Sequence, residues 1–207
     1  MKKTSTKKGQ HTKRKNKEYN KNLIITGVII LSLWIFFPDL LDFDYHQGTI
    51  NYEESILIEE EFNGNNFEVL PKQKKIPVEV VSVNDGDTIK VRLNNHKFAV
   101  RYLMINAPEM NYNEGSPEQY AVEAKLANEN YLFEAEQVYI ELDVGPSTDN
   151  YNRVLAYVYA DEVLLNERLV EEGLADVRYI NPPNNSYEEL LKQAQKKAEQ
   201  NAINIWE

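Results

Sequence analysis

The spacing of apolar positions changes several times along the chain, and each change marks a boundary. From Leu23 to Phe37 there are fifteen residues without a charge, flanked by Lys21 and by Pro38-Asp39. As a helix this run extends about 22 Å at 1.5 Å per residue, against a hydrocarbon core of roughly 30 Å. Lys21 can snorkel at one end, Trp34, Phe36 and Phe37 suit an interface at the other, and Leu40 and Leu41 add half a turn. Further on, β-branched residues dominate Ile76 to Val83, and Ile89, Val91 and Leu93 alternate with Lys90 and Arg92. That pattern predicts two strands joined across Asp85-Gly86. Asn94-Asn95 turns the chain into a third strand, Phe98 to Ile105. Ser116-Pro117-Glu118-Gln119 has the order of a helix start, and Ala121, Ala124, Ala127 and Tyr131 follow on it. Strands are expected at Val138 to Leu142 and Arg153 to Tyr159, with a short helix from Asn166 to Glu172 stopped by Gly173. Ser186-Tyr-Glu-Glu189 reads as a second capping box, with Tyr187, Leu190, Leu191, Ala194 and Ala198 recurring on one helical face. Five short strands with helices between and after them predict an α+β, mainly β, architecture: a small closed barrel with helices packed on it.

Charge divides the chain differently. The net charge is −10, yet residues 1–22 carry nine Lys or Arg against Glu18, a net of +8, which leaves −18 for the remainder. A basic block abutting an uncharged apolar run is what a membrane anchor needs, and the positive-inside rule places the N-terminus in the cytoplasm and the rest outside. A signal peptidase site calls for small residues nearby, but the first alanine is Ala99, so the anchor is expected to stay uncleaved. The alternatives are a core helix behind a basic tail, or a nucleic-acid or targeting role for the lysine run. Residues 39–70 hold nine acidic residues and no Lys or Arg, which suggests an exposed, self-repelling spacer; Ile56-Leu57-Ile58 is the one segment there that could make a strand or a contact. The expected organisation is a basic cytoplasmic tail (1–22), a membrane anchor (23–41), an acidic linker (42–70) and a folded domain (71–207).

With no cysteine and only His11, His46 and His96, a disulfide scaffold, a zinc finger, a thiol nucleophile and a His-rich metal centre are excluded. Any metal ligands must be oxygens, which favours calcium or magnesium. Asp87 follows the Asp85-Gly86 turn at the start of a strand, and Glu109 follows Pro108 just past the end of another. A carboxylate so placed can ligate a hard cation or take a proton. Arg101 lies within an apolar strand and Arg153 opens one, and a guanidinium fork matches phosphate oxygens. Two carboxylates and two arginines on the strand ends of one barrel describe a metal-plus-guanidinium site for an anionic transition state.

These residues sit in segments that resemble the staphylococcal-nuclease-like, or thermonuclease, family: Asn84-Asp85-Gly86-Asp87-Thr88, Arg101 through Pro108-Glu109, Thr148-Asp149-Asn-Tyr151-Asn-Arg153-Val-Leu155-Ala-Tyr157, Val170-Glu-Glu-Gly173-Leu-Ala175, Pro183-Asn184-Asn185 and Asn204-Ile-Trp206. The resemblance runs in order from about residue 76 to the end of the chain. It implies an OB-type five-stranded barrel with three helices, and a calcium-dependent endonuclease that hydrolyses DNA and RNA to 3′-phosphate ends. By the same resemblance Asp87 is the principal Ca2+ ligand, Glu109 activates or positions the attacking water, and Arg101 and Arg153 bind the phosphate and stabilise the transition state. Tyr151, Leu155 and Tyr179 line the nucleotide pocket.

Three positions depart from the family pattern. Asn106 stands where an Asp is usual, so one negative charge is missing; Asn106 can offer its side-chain carbonyl oxygen and Ala107 its backbone carbonyl. Asn150 and Asn181 replace a Lys and a Tyr of the pocket. The expected protein is a monomeric, single-pass, membrane-anchored nuclease outside the cell, with no protein partner implied. The alternatives are a barrel that binds single-stranded nucleic acid or a protein without cutting it, and a surface-tethered structural domain. The full set of Arg101, Glu109 and Arg153 favours the enzyme, because a binding module has no need of it. The net of −9 over residues 71–207 confines any positive potential to a cleft; Arg101, Arg153 and Arg178, and the run of Lys72, Lys74 and Lys75, are the candidate cations.

Overall fold

The computed structural model describes residues 48–207 apart from Glu114. The expected basic tail, the expected membrane anchor and residues 42–47 of the acidic stretch lie outside the described residues. Among the described residues no helix is long and apolar enough to cross a membrane.

Strands β1 (Lys75–Val83), β2 (Thr88–Leu93) and β3 (His96–Tyr102) form an antiparallel meander, and β4 (Ile105–Asn106) follows. Strands β5 (Val138–Glu141) and β6 (Val154–Ala160) complete a barrel: Val83 pairs with Ile89, Thr88 with Arg101, Val138 with Ala160 and Ile76 with Ile140, and β3 meets β6 in parallel at Arg101 and Leu155. The expected five-stranded closed barrel is therefore present. The alternation read in the sequence sets its inner face, where Ile76, Ile89, Val91, Val100, Ile140 and Val154 are fully buried. A bulge between Val80 and Ser82 shifts the register of β1 against β2 as the strand curves into the barrel. β7 (Val163–Leu164) extends the sheet beyond β6, and β8 (Asp176–Val177) pairs with β4, setting Asn106 opposite Asp176.

Four α-helices occur among the described residues where three were expected: α1 (Tyr52–Glu61), α2 (Ala121–Glu134), α3 (Leu165–Glu171) and α4 (Glu188–Gln200). The additional one corrects the spacer reading over the described part of that stretch, residues 48–70. Asn51 and Glu54 form a reciprocal capping box that starts α1, and Ile58, Phe62, Phe67 and Leu70 are buried in the same core as the barrel. Phe62, Phe67 and Phe98 pack with ring centroids 5.1–5.8 Å apart. Apolar burial thus outweighs the self-repulsion of the acidic residues, which remain on the outer side.

Other boundaries move because side chains are used elsewhere. Ser116 caps nothing: α2 begins at Ala121 after Tyr120 in the left-handed region (φ 67°), and Glu118 instead ties down the Glu109 loop. Ser186 likewise leaves α4 uncapped and donates from N and Oγ to Asp143. The third strand ends at Tyr102 rather than Ile105, since Met104 takes φ 60° and the chain turns before β4.

Candidate active site

Where β3 and β6 run parallel, their ends and the loops after β3, before β6 and after β8 enclose a cavity of about 640 Å³. Arg101, Asn106, Glu109, Tyr151, Arg153, Leu155 and Tyr179 line it, together with Asp149, Asn150, Asn181 and Asn184. Seven of the nine residues named from the sequence therefore share one cleft. The other two, Asp87 and Ala107, lie directly behind it: Asp87 Oδ2 is 3.0 Å from Arg101 Nη2, and the Ala107 N–H donates to the same oxygen at 2.7 Å.

Asp87 is held by the turn that precedes β2. Its N–H donates to Asp85 Oδ1 (3.1 Å), its Oδ1 accepts from the Thr88 hydroxyl (2.9 Å), and its carbonyl accepts the Tyr102 N–H (2.9 Å). Asp87 is only 3% exposed. Burial pushes it up to about 7, with Asp85 adding repulsion, while Arg101 and the two donors pull the other way.

Both terminal nitrogens of Arg101 are held. Nη1 donates to the carbonyls of Tyr102 (2.8 Å) and Ile105 (2.7 Å), and Nη2 donates to Asn106 Oδ1 (3.2 Å) while pairing with Asp87. The turn that ends β3 early is what carries the Ile105 carbonyl back to this guanidinium. Arg153 is held by Asp149, whose Oδ2 accepts Nε and lies 2.7 Å from Nη2, while its Oδ1 accepts the backbone N–H groups of Arg153 and Tyr151 at 2.9 Å each. Burial works against the Asp149 charge, but those N–H groups and the guanidinium hold its carboxyl below the usual range. Nη1 of Arg153 has no partner among the described residues. Each guanidinium also lies near a tyrosine ring, Arg101 at 5.8 Å from the Tyr179 centroid and Arg153 at 5.4 Å from that of Tyr151.

Glu109 stands on the rim, its N–H and carbonyl fastened to Glu118 (2.8 and 3.0 Å). Partial desolvation by the cleft walls raises its carboxyl, Asp85 and Glu118 add to the rise, and Arg101 and Arg153 oppose it. A carboxylate raised in this way is a better proton acceptor near neutral pH than an exposed one.

The donor chemistry suits a hard cation: Asp87 Oδ2 and Asn106 Oδ1 are oxygens that converge on Arg101 Nη2. Only one of the two is charged, and no group of three or more His, Cys, Asp or Glu side chains able to hold a metal occurs among the described residues. Ala107 meets Asp87 through its N–H. Sequence reasoning assigned no role to Asp149 or Glu118. Asp149 left a faint trace, an Asp four residues before an Arg across a turn, but Glu118 left none, because its partner is nine residues away on another loop.

Residues 99–207 match the family model described as "Staphylococcal nuclease homologue". The chain is 32% identical over 184 residues to a thermonuclease of Staphylococcus intermedius, spanning 89% of this chain and 98% of that one. It is 38% identical over 122 residues to the SPbeta prophage-derived endonuclease YokF of Bacillus subtilis (strain 168), over 59% of this chain and 41% of that one. It is 35% identical over 135 residues to endonuclease YncB of the same organism, over 65% and 64% respectively. The matches thus span less than two thirds of the length of either Bacillus protein.

Proposed function

Because this chain belongs to the staphylococcal nuclease family, we propose that it is a nuclease that hydrolyses phosphodiester bonds in DNA and RNA, requires calcium and leaves 3′-phosphate ends. The observation that carries the reading is the convergence of Arg101, Arg153 and Glu109 on one cleft lined by Tyr151 and Tyr179. Hydrolysis puts negative charge on the non-bridging phosphoryl oxygens, and two guanidinium groups already fixed in place stabilise that charge without reorganising. Arg153 presents Nη1 to the phosphate, because Asp149 engages its other side. Glu109 takes a proton from the attacking water, and its raised affinity for protons suits that task. Tyr151, Tyr179 and Leu155 offer ring and apolar surface to a base.

Asp87 and Asn106 are the residues that would hold calcium, which when bound supplies further positive charge opposite the phosphoryl oxygens. With one charged ligand the affinity is low, and water has to complete the shell. Millimolar external calcium suits such a site, which fits the reading of residues 23–41 as an anchor holding the enzyme outside the membrane as a monomer.

The test is cleavage of single-stranded DNA and RNA by the full-length chain with calcium or chelator, beside Glu109→Gln. The expected result is calcium-dependent cleavage that leaves 3′-phosphates, reduced roughly 10²–10⁴-fold in Glu109→Gln. A folded chain that binds oligonucleotides but cuts none at any calcium level would replace the enzyme by a binding module. Protease treatment of intact cells tests location: the folded domain is expected to be digested from outside.

A further inference from the structure

A second, smaller cavity of about 260 Å³ adjoins the cleft, and Glu109 borders both. Its other lining residues are Asp85, Met110, Asn111, Tyr112 and Asn113. Tyr112 is 65% exposed yet not free to swing: its hydroxyl donates to the Asn84 carbonyl (2.7 Å) and accepts from Lys125 Nζ on α2 (2.8 Å). An exposed ring fixed at its far end is a surface of low conformational entropy.

A polymeric substrate extends to both sides of the bond that is cut. Tyr151 and Tyr179, with Arg101 and Arg153, occupy the main cavity, and the small cavity lies past Glu109. We propose that this cavity is a second nucleotide subsite, in which the base next to the scissile phosphate stacks on Tyr112 and Lys125 meets the phosphate that follows. The proposal rests on the nuclease reading and adds a residue to it. The chemistry selects a base for the cavity itself: Asp85 and Glu109 in its wall repel a phosphate, whereas the Tyr112 ring and the Met110 thioether accept a neutral aromatic face, and the Asn113 amide adds a polar group to the lining. Lys125 hydrogen-bonds a phenol oxygen rather than a carboxylate, with Nζ 5.4 Å from the Tyr112 ring centroid. Stacking tolerates any base, so the subsite confers a dependence on substrate length rather than on sequence.

The test uses the full-length chain and single-stranded DNA with one cleavable linkage, lengthened by one to four nucleotides on either the 5′ or the 3′ side. For wild type, kcat/KM is expected to rise about tenfold as the strand grows across one side and not the other. The gain is expected to vanish in Tyr112→Leu, to persist in Tyr112→Phe, and to be lost when the nucleotide at that position is abasic. An equal loss in Tyr112→Phe and Tyr112→Leu would assign Tyr112 to anchoring its loop through the hydroxyl and overturn the subsite. So would a length dependence that neither variant changes. Fluorescence anisotropy of the same oligonucleotides separates this from the nuclease reading: a chain that cuts nothing refutes that reading, while the ratio of affinities for long and short strands in wild type and Tyr112→Leu still decides the subsite.

Discussion

At Asn106 a single atom sets the charge of the site. Its side-chain oxygen accepts from Arg101 Nη2 beside Asp87, so an aspartate there would put a second carboxylate where only one now stands. Asn106→Asp is expected to lower the calcium concentration needed for half-maximal cleavage, because affinity in oxygen-donor sites rises with ligand charge; an unchanged requirement would remove Asn106 from the ligand set. Asp87 carries a cost of its own. Its folded-state value of about 7 lies above the ~3.9 of an unfolded aspartate, so between those values the folded chain binds more protons than the unfolded one. The contribution to stability is therefore complete below the lower value and is lost as pH rises through the upper, at up to ~1.4 kcal/mol per pH unit. Denaturant midpoints measured without divalent cation from about pH 4 to pH 8 are expected to fall in the wild-type chain and to fall less in Asp87→Asn.

The turn between β1 and β2 shows how an element delivers such a residue. Gly86 packs so closely that a Cβ there would stand 2.6 Å from Ala107 Cβ and 2.8 Å from Ala124 Cβ, so β2, the Glu109 loop and α2 meet on one missing side chain. Gly86→Ala is expected to destabilise the fold by about 1–3 kcal/mol and to lower kcat together with stability, because Asp87 and Ala107 shift with the turn; urea titration beside single-turnover cleavage checks both. Asp85-Gly86 before β2, Glu109 after Pro108, and arginines within and at the start of apolar strands are local signals, so Asp87, Arg101, Glu109 and Arg153 are legible in the sequence, and their combination and the family resemblance supply their roles. The errors have the opposite origin. Ser116 and Ser186 had the sequence context of caps, but the polar groups around them are spent on distant partners, Glu118 on Glu109 and Ser186 on Asp143. Helix α1 was hidden because Ile58, Phe62, Phe67 and Leu70 follow no single period: they are spread over a helix, a bend and a short 3-10 turn, and acidic residues surround them.

For the molecule as a whole, residues 48–70 belong to the folding unit. Burying a large apolar side chain contributes ~1.5–3 kcal/mol, so Ile58, Phe62, Phe67 and Leu70 together supply an amount of the same order as the ~5–15 kcal/mol that keeps a domain folded. The same segment reaches the site, since the Phe67 carbonyl and Glu68 both accept from Ser147, two residues before Asp149. A chain beginning at Gly48 is expected to unfold cooperatively, and one beginning at Pro71 to lack a cooperative transition by circular dichroism; equal stability of the two would remove residues 48–70 from the folding unit. Including this segment makes the charge problem sharper, for residues 48–207 carry a net of −15 while the proposed substrate is a polyanion. Long-range attraction is therefore absent, and binding depends on the few cations placed against the strand. Arg101 and Arg153 in the cleft and Lys125 beyond it are three, and three phosphate contacts on a single strand give a slope of roughly −2 in log K against log salt. A slope of about −4 or steeper would require six or more contacts, bringing in cations such as Lys72, Lys74 and Arg178. Those line neither cavity, so the shallow slope is the expected outcome.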